Sequence, residues 1–292
     1  MTIDYKSFYK MYRYNHYQII SGIFKQFWSS KTGYGDLTEI LKEQSAFPNP
    51  NSISNSIKTG IQQNTFQCID TLSTFIGCLK PENGINTPID DLIVEKISEK
   101  KFYNNLIQEF AKSVENVIEF FSYPIIWRGE KFTFGEHLFY HAVRFTHEIS
   151  KDINQSLTAI YRAIHIIAKE LSDSRMYNSY KHGLRNIDFM KSFAIGPNTS
   201  EGLTFDLSNT ITFPHIRKDG EIEFLTETVD TERNFRITTF VSRLLNNIII
   251  LRRLVSNSEN DEVDIFFWSE EDVSSVFKYN VSKYSFKFNY EK

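Results

Sequence analysis

The chain has 292 residues, 41% hydrophobic and 24% charged, which is globular composition with enough apolar material for one large domain or two modest ones. A formal net charge of −3 gives no global attraction to nucleic acid, so a general DNA coat or scaffold is disfavoured and any nucleic-acid role must rest on a local patch. The 26 Phe and 15 Tyr accompany many Asn, Ile, Lys and Ser residues and read as compositional drift of the source genome rather than as a base-stacking surface.

The N-terminus lacks a basic region followed by an apolar core, so no signal peptide is expected. Across residues 4–30, Tyr5, Phe8, Tyr9, Tyr12, His16, Ile19, Ile23 and Phe27 recur at helical spacing and predict one amphipathic helix. A short helix follows near 36–45, and Pro48-Asn-Pro50-Asn-Ser-Ile-Ser-Asn reads as a loop. Residues 55–80 return to helical spacing through Ile57, Ile61, Ile69, Leu72 and Leu79. Cys68 and Cys78 lie in this stretch without His or Cys at metal-ligand spacing. They argue against a zinc site and a disulfide framework, and for buried thiols in a reducing cytosol.

Further helices are expected at 90–99 and 102–121, then a break with a small hairpin or turn through Ser122-Tyr-Pro-Ile-Ile-Trp-Arg-Gly-Glu-Lys131. Thr133-x-x-Glu136 ahead of an apolar run is a capping box, predicting a helix over 134–150 with Leu138, Ala142, Phe145 and Ile149 as its core stripe. The next helix, 155–171, buries Leu157, Ile160, Ile164, Ile167 and Leu171. Beyond Asn186, period-two alternation in Leu203-Thr-Phe-Asp-Leu, Thr210-Ile-Thr-Phe and Glu221-Ile-Glu-Phe-Leu predicts an antiparallel β insertion at about 190–229, turning at Lys218-Asp-Gly220. Asp230 or Thr231 then opens a long helix whose Ile237, Val241, Leu244, Ile248, Leu251 and Val255 form a bundle seam. Its apolar run Ile248–Leu251 is far too short to span a membrane and is followed by Arg252-Arg253. Two tail segments, Val263-Asp-Ile-Phe-Phe-Trp and Lys283-Tyr-Ser-Phe-Lys-Phe-Asn-Tyr, have β character. The expectation is a cytoplasmic protein with no membrane association, in three regions: 1–85 helical, 86–256 a bundle carrying the β insertion, and 257–292 a β tail.

Ser172-Asp-Ser-Arg175-Met-Tyr-Asn178-Ser-Tyr-Lys181-His182-Gly-Leu-Arg185 carries the functional signal. If helical, it places Arg175, Asn178, Ser179 and His182 on one polar face and Met176, Tyr177, Tyr180 and Leu184 on the other. Ser172 or Ser174 can cap its start, and Gly183 can close its end. A cation, an amide and an imidazole are thereby presented together. Such a face suits phosphodiester chemistry, or it simply faces water.

Set between a long helix and a β insertion followed by a last bundle helix, Arg175-x6-His182 with Asn178-x-x-Lys181-His182-Gly183 resembles the HEPN-like superfamily (higher eukaryotes and prokaryotes nucleotide-binding domains) over roughly residues 100–256. The resemblance implies a mainly α, HEPN-like helical bundle with a β-hairpin insertion and a short C-terminal β segment. It also implies a metal-independent endoribonuclease of the toxin or antiviral-defence type that needs no cofactor. Catalytic roles then fall to Arg175, Asn178 and His182: His182 as general base or acid near neutral pH, Arg175 on developing phosphoryl charge, and Asn178 orienting either. Lys181 and Arg185 suit RNA backbone phosphates. A helical rise of ~1.5 Å per residue separates Arg175 and His182 by ~10 Å, so two copies paired in a homodimer are the simplest geometry. An antitoxin or regulatory protein is a further implied partner. Active members often have a polar residue after the motif Arg, where this chain has Met176. The competing reading is therefore a non-catalytic HEPN-like module binding nucleotide, RNA or a protein partner.

A second constellation, His137, His141, Arg144 and Glu148, falls on one face of the predicted 134–150 helix. His at i and i+4 with a carboxylate beyond can bind a metal, but Arg144 lies between those ligands. The spacing reads instead as a polar helix face, and no metal is expected.

Overall fold

The structure, a computed structural model, describes residues 5–13, 15–29, 39, 50–81, 102–141, 147–172, 192–195, 203–216, 221–257, 263–281 and 285–289. The protein is mainly helical with small antiparallel sheets. It forms two compact units, neither of them a continuous stretch of chain: residues 1–19, 67–173 and 236–277 make one, and 20–66, 174–235 and 278–292 the other. Apart from residue 39, the expected helix near 36–45 lies outside the described residues, as do the one at 90–99 and the turn at Lys218-Asp-Gly220.

The N-terminal periodicity yields two helices instead of the single one expected, α1 (Tyr5–Met11) and α2 (His16–Ser29). Asn15 restarts the helix: its carbonyl accepts the Ile19 N–H at 3.0 Å, and asparagine is a favoured N-cap residue. α3 (Pro50–Leu79) begins inside the predicted loop. Proline is well suited to a first helical turn, where its missing N–H would have had no partner. The single helix expected over 102–121 is also two, α4 (Phe102–Lys112) and α5 (Val114–Phe121), because the Ser113 hydroxyl accepts the Asn116 N–H and starts a new helix.

The predicted hairpin is present as β1 (Pro124–Trp127) and β2 (Glu130–Thr133), paired antiparallel. Its two turn residues, Arg128 (φ 51°) and Gly129 (φ 82°), both have positive φ, as a type I′ turn demands. The capping box is also present: Thr133 Oγ1 accepts the Glu136 N–H and the Glu136 carboxylate accepts the Thr133 N–H. The helix it opens, α6 (Phe134–Tyr140), is however much shorter than predicted, because His141 (φ 41°, ψ 42°) takes a left-handed conformation and stops it. α7 (His147–Ser172) is a separate element.

In the first unit α7 is the hub against which α4, α5, α6 and α9 (Glu270–Phe277) pack. Phe121 sits at the centre of an aromatic cluster, stacked on Tyr161 (5.0 Å, 5°) and Phe134 (5.6 Å, 14°). α8 (Thr231–Asn257) carries the predicted seam: Ile237, Val241, Leu244, Ile248 and Leu251 are all buried, while Val255, near its end, is only half-buried.

The segment 263–268, expected to be a strand, is not one. Side chains satisfy its backbone instead of a neighbouring strand. Asn247, fully buried on α8, donates to the Phe266 carbonyl (2.8 Å) and accepts the Phe266 N–H (3.0 Å). Asn246 donates to the Asp264 carbonyl, and Ser156 on α7 accepts the Trp268 N–H. The acidic run Glu270-Glu271-Asp272 that follows starts a helix: the Asp272 carboxylate accepts the Ser269 N–H, and the Ser269 hydroxyl accepts the Asp272 N–H.

The second unit holds the expected β insertion. β3 (Ser192–Ile195) pairs with β4 (Leu203–Asp206), and β5 (Thr210–Ile216) with β6 (Ile222–Thr228). β6 also pairs with β7 (Ser285–Asn289), the expected tail strand, giving a sheet of order β5-β6-β7. Pro214, opposite Phe224, lies on the edge strand β5. Ile53, Ile57, Ile61 and Phe235 form this unit's apolar cluster, with Phe24, Phe27 and Trp28 packed against it. Asp230 ties the start of α8 to the tail, one carboxylate oxygen accepting the Arg233 N–H and the other the Asn280 N–H.

Candidate functional site

Arg175, Asn178, Lys181, His182 and Arg185 lie within 173–191, outside the described residues. The approach to them is described. α7 runs for 26 residues and ends at Ser172, three positions before Arg175. Its inner face is set by burial of Leu157, Ile160, Ile164, Ile167 and Leu171. In its last turn the Ser172 hydroxyl donates to the Lys169 carbonyl at 2.8 Å.

Of the second constellation the structure brings two members together. Arg144 and the side chain of Glu148 lie outside the described residues, and the 134–150 helix that would have aligned all four does not form. His137 and His141 still meet, with ring centroids 4.9 Å apart, and both are buried. Trp127 at the hairpin end packs beside His141 at 5.1 Å and His137 at 6.3 Å. The exposed Arg128 covers the outer side of Trp127 at 4.3 Å. From α8 the almost fully buried Arg252 donates to the carbonyls of Leu138 (2.9 Å), Ile248 (3.1 Å) and His137 (3.4 Å). Tyr9 of α1 lies 6.0 Å from its guanidinium.

This corner follows from local rules. The capping box fixes where α6 starts, the type I′ turn returns Trp127 over its end, and the left-handed His141 turns the chain away. Trp127, Arg128 and Arg252 were not singled out in the sequence. The Arg128-Gly129 pair carried a readable turn signal, whereas Arg252 looked like the charged end of an apolar run.

Chemically the corner is a buried pair of imidazoles beside two arginines. Burial, then Arg252, His137 and Arg128, hold His141 neutral well below the usual imidazole range. Among the described residues no group of three or more His, Cys, Asp or Glu side chains could hold a metal ion, and a buried guanidinium next to His141 opposes a cation there. Cys68 is equally unsuited to chemistry. It is fully buried against Ser242, and burial pushes its thiol up to about 12. No helix among the described residues is long and apolar enough to cross a membrane. The chain matches no protein-family model, no curated protein and no solved structure.

Proposed function

We propose that this chain is a HEPN-like, metal-independent endoribonuclease of the toxin or antiviral-defence type, acting as a homodimer on RNA. The observation that carries this reading is the sequence Arg175-x6-His182 with Asn178-x-x-Lys-His-Gly. It is supported by what surrounds that sequence: a 26-residue helix ending at Ser172, an antiparallel β insertion, and the 27-residue α8. In the proposed reaction a ribose 2′-hydroxyl attacks the adjacent phosphorus. The new P–O2′ bond forms as the P–O5′ bond breaks, leaving a 2′,3′-cyclic phosphate and a 5′-hydroxyl. His182 of one copy takes the 2′-proton, and its counterpart in the other copy protonates the leaving 5′-oxygen. Arg175 stabilises the charge gathering on the phosphoryl oxygens, Asn178 orients it, and Lys181 and Arg185 hold flanking phosphates. A toxic activity of this kind would be kept silent by an antitoxin or regulatory protein.

Met176, where active members often carry a polar residue, favours a second reading, a non-catalytic module that binds RNA, nucleotide or a protein partner. One experiment separates the two. A mixed RNA pool is incubated in EDTA with wild-type protein and with His182→Ala, and the ends are mapped. Cyclic-phosphate ends from the wild type that vanish in the variant are the expected result. Equal background from both would overturn the nuclease and leave the binding module.

A further inference from the structure

Independently of that reading, we propose that the corner between the β1–β2 hairpin and the end of α6 is an acid-operated latch, in which proton uptake by His141 releases the hairpin while the core around α7 stays folded. The geometry carries the argument. His141 is 3% exposed and its Nδ1 is buried with no hydrogen-bond partner among the described residues. A proton placed there would be a buried donor without an acceptor as well as a buried charge, and both are costly.

The surroundings make the charged form worse. Among the described residues, the charged or titratable groups acting on His141 are Arg252 on α8, His137 on α6 and Arg128 in the hairpin turn. None is acidic. Trp127 closes the ring from the hairpin side, so movement of the hairpin would let water reach an imidazolium there. His141 also holds a left-handed backbone, a conformation uncommon outside glycine. The hairpin itself is two four-residue strands, an element too small to be stable without packing.

The sign follows from linkage. The closed corner binds no proton at His141, whereas the open one binds a proton below the ordinary value of 6.5. The closed form is therefore fully favoured above that value. As pH falls below it the open:closed ratio rises by up to about tenfold per pH unit, until the closed form itself protonates.

Amide hydrogen exchange on the full chain, corrected for intrinsic rates, tests this. The opening constant of the β1–β2 ladder amides should rise towards tenfold per unit below pH 6.5, while α7 amides keep their protection. In His141→Asn, which tolerates the left-handed backbone and does not titrate, the slope should disappear. A flat opening constant, an unchanged slope in the variant, or loss of α7 protection in step with the hairpin would each overturn the latch. If the variant does not fold, ring ¹⁵N shifts of wild-type His141 decide: protonation at an ordinary pH with the Trp127 indole signal unmoved would overturn it equally.

Discussion

Two adjacent arginines close two different helices. Arg252 reaches the last carbonyls of α6, and Arg253 donates to the carbonyls of Tyr9 and Lys10 at the end of α1. The final carbonyls of a helix have no partner within it, and a glycine turn or a solvated lysine is the usual remedy. Here buried and half-buried guanidinium groups serve, each more than a hundred residues away in sequence. Arg252→Met should destabilise the protein by about 1–3 kcal/mol for each of the Leu138 and His137 carbonyls it leaves unpaired, and Arg253→Ala by about 1 kcal/mol. Urea denaturation checks both, and equal costs would contradict the difference in burial. Gly135 is constrained more simply. A Cβ there would collide with the Tyr161 hydroxyl, on a ring already pinned against Phe121. Gly135→Ala should cost about 1–3 kcal/mol, and markedly less in a Tyr161→Phe background; a double-mutant cycle with no coupling would refute this. The capping box was legible because Thr133 and Glu136 are three residues apart. The roles of Arg252 and Arg253 were not, because their partners are set by the fold.

Among elements, the same divide separates what sequence periodicity revealed from what it concealed. The seam of α8 was readable because its positions from Ile237 to Leu251 all face a core and the spacing repeats. Helix breaks were not, since Asn15 and Ser113 interrupt runs whose apolar spacing continues on either side. Residues 263–268 show the opposite failure. Their β-like composition is real, but Asn247 supplies both the donor and the acceptor that a neighbouring strand would have given. Asn247→Leu keeps the volume, strands the Phe266 N–H and leaves its carbonyl only the 3.4 Å bond from the Tyr140 hydroxyl, at about 1–3 kcal/mol for the stranded N–H. Thermal unfolding of that variant should show a clear drop. Arg162 and Glu270, an exposed pair at 2.6 Å, join the following helix to α7, yet Glu270→Gln should change stability by less than about 1 kcal/mol.

For the whole molecule, composition and patterning were enough to predict a mainly helical protein with an antiparallel insertion. They could not suggest units assembled from three separated stretches each, because sequence punctuation marks only contiguous segments. The candidate catalytic residues are a different matter. Arg175, Asn178 and His182 were legible as a spacing, and they rest on that spacing and on the helix that leads to them; their proof is the chelator-resistant cleavage described above. The His137–His141 corner was half legible, its two histidines marked by an i, i+4 interval and its tryptophan and arginines supplied by other elements.

Pro214 has a bearing on how the protein behaves in a crowd. A proline has no N–H to offer a ladder, so on β5 its position fits where the missing donor would point away from β6, toward the side on which no strand lies among the described residues. A foreign strand arriving at that side finds a gap and a ring where it needs a bond, and self-templated stacking into fibres is discouraged at its first step. Pro214→Val should leave the melting temperature nearly unchanged but shorten the lag before thioflavin-positive aggregates form on mild heating.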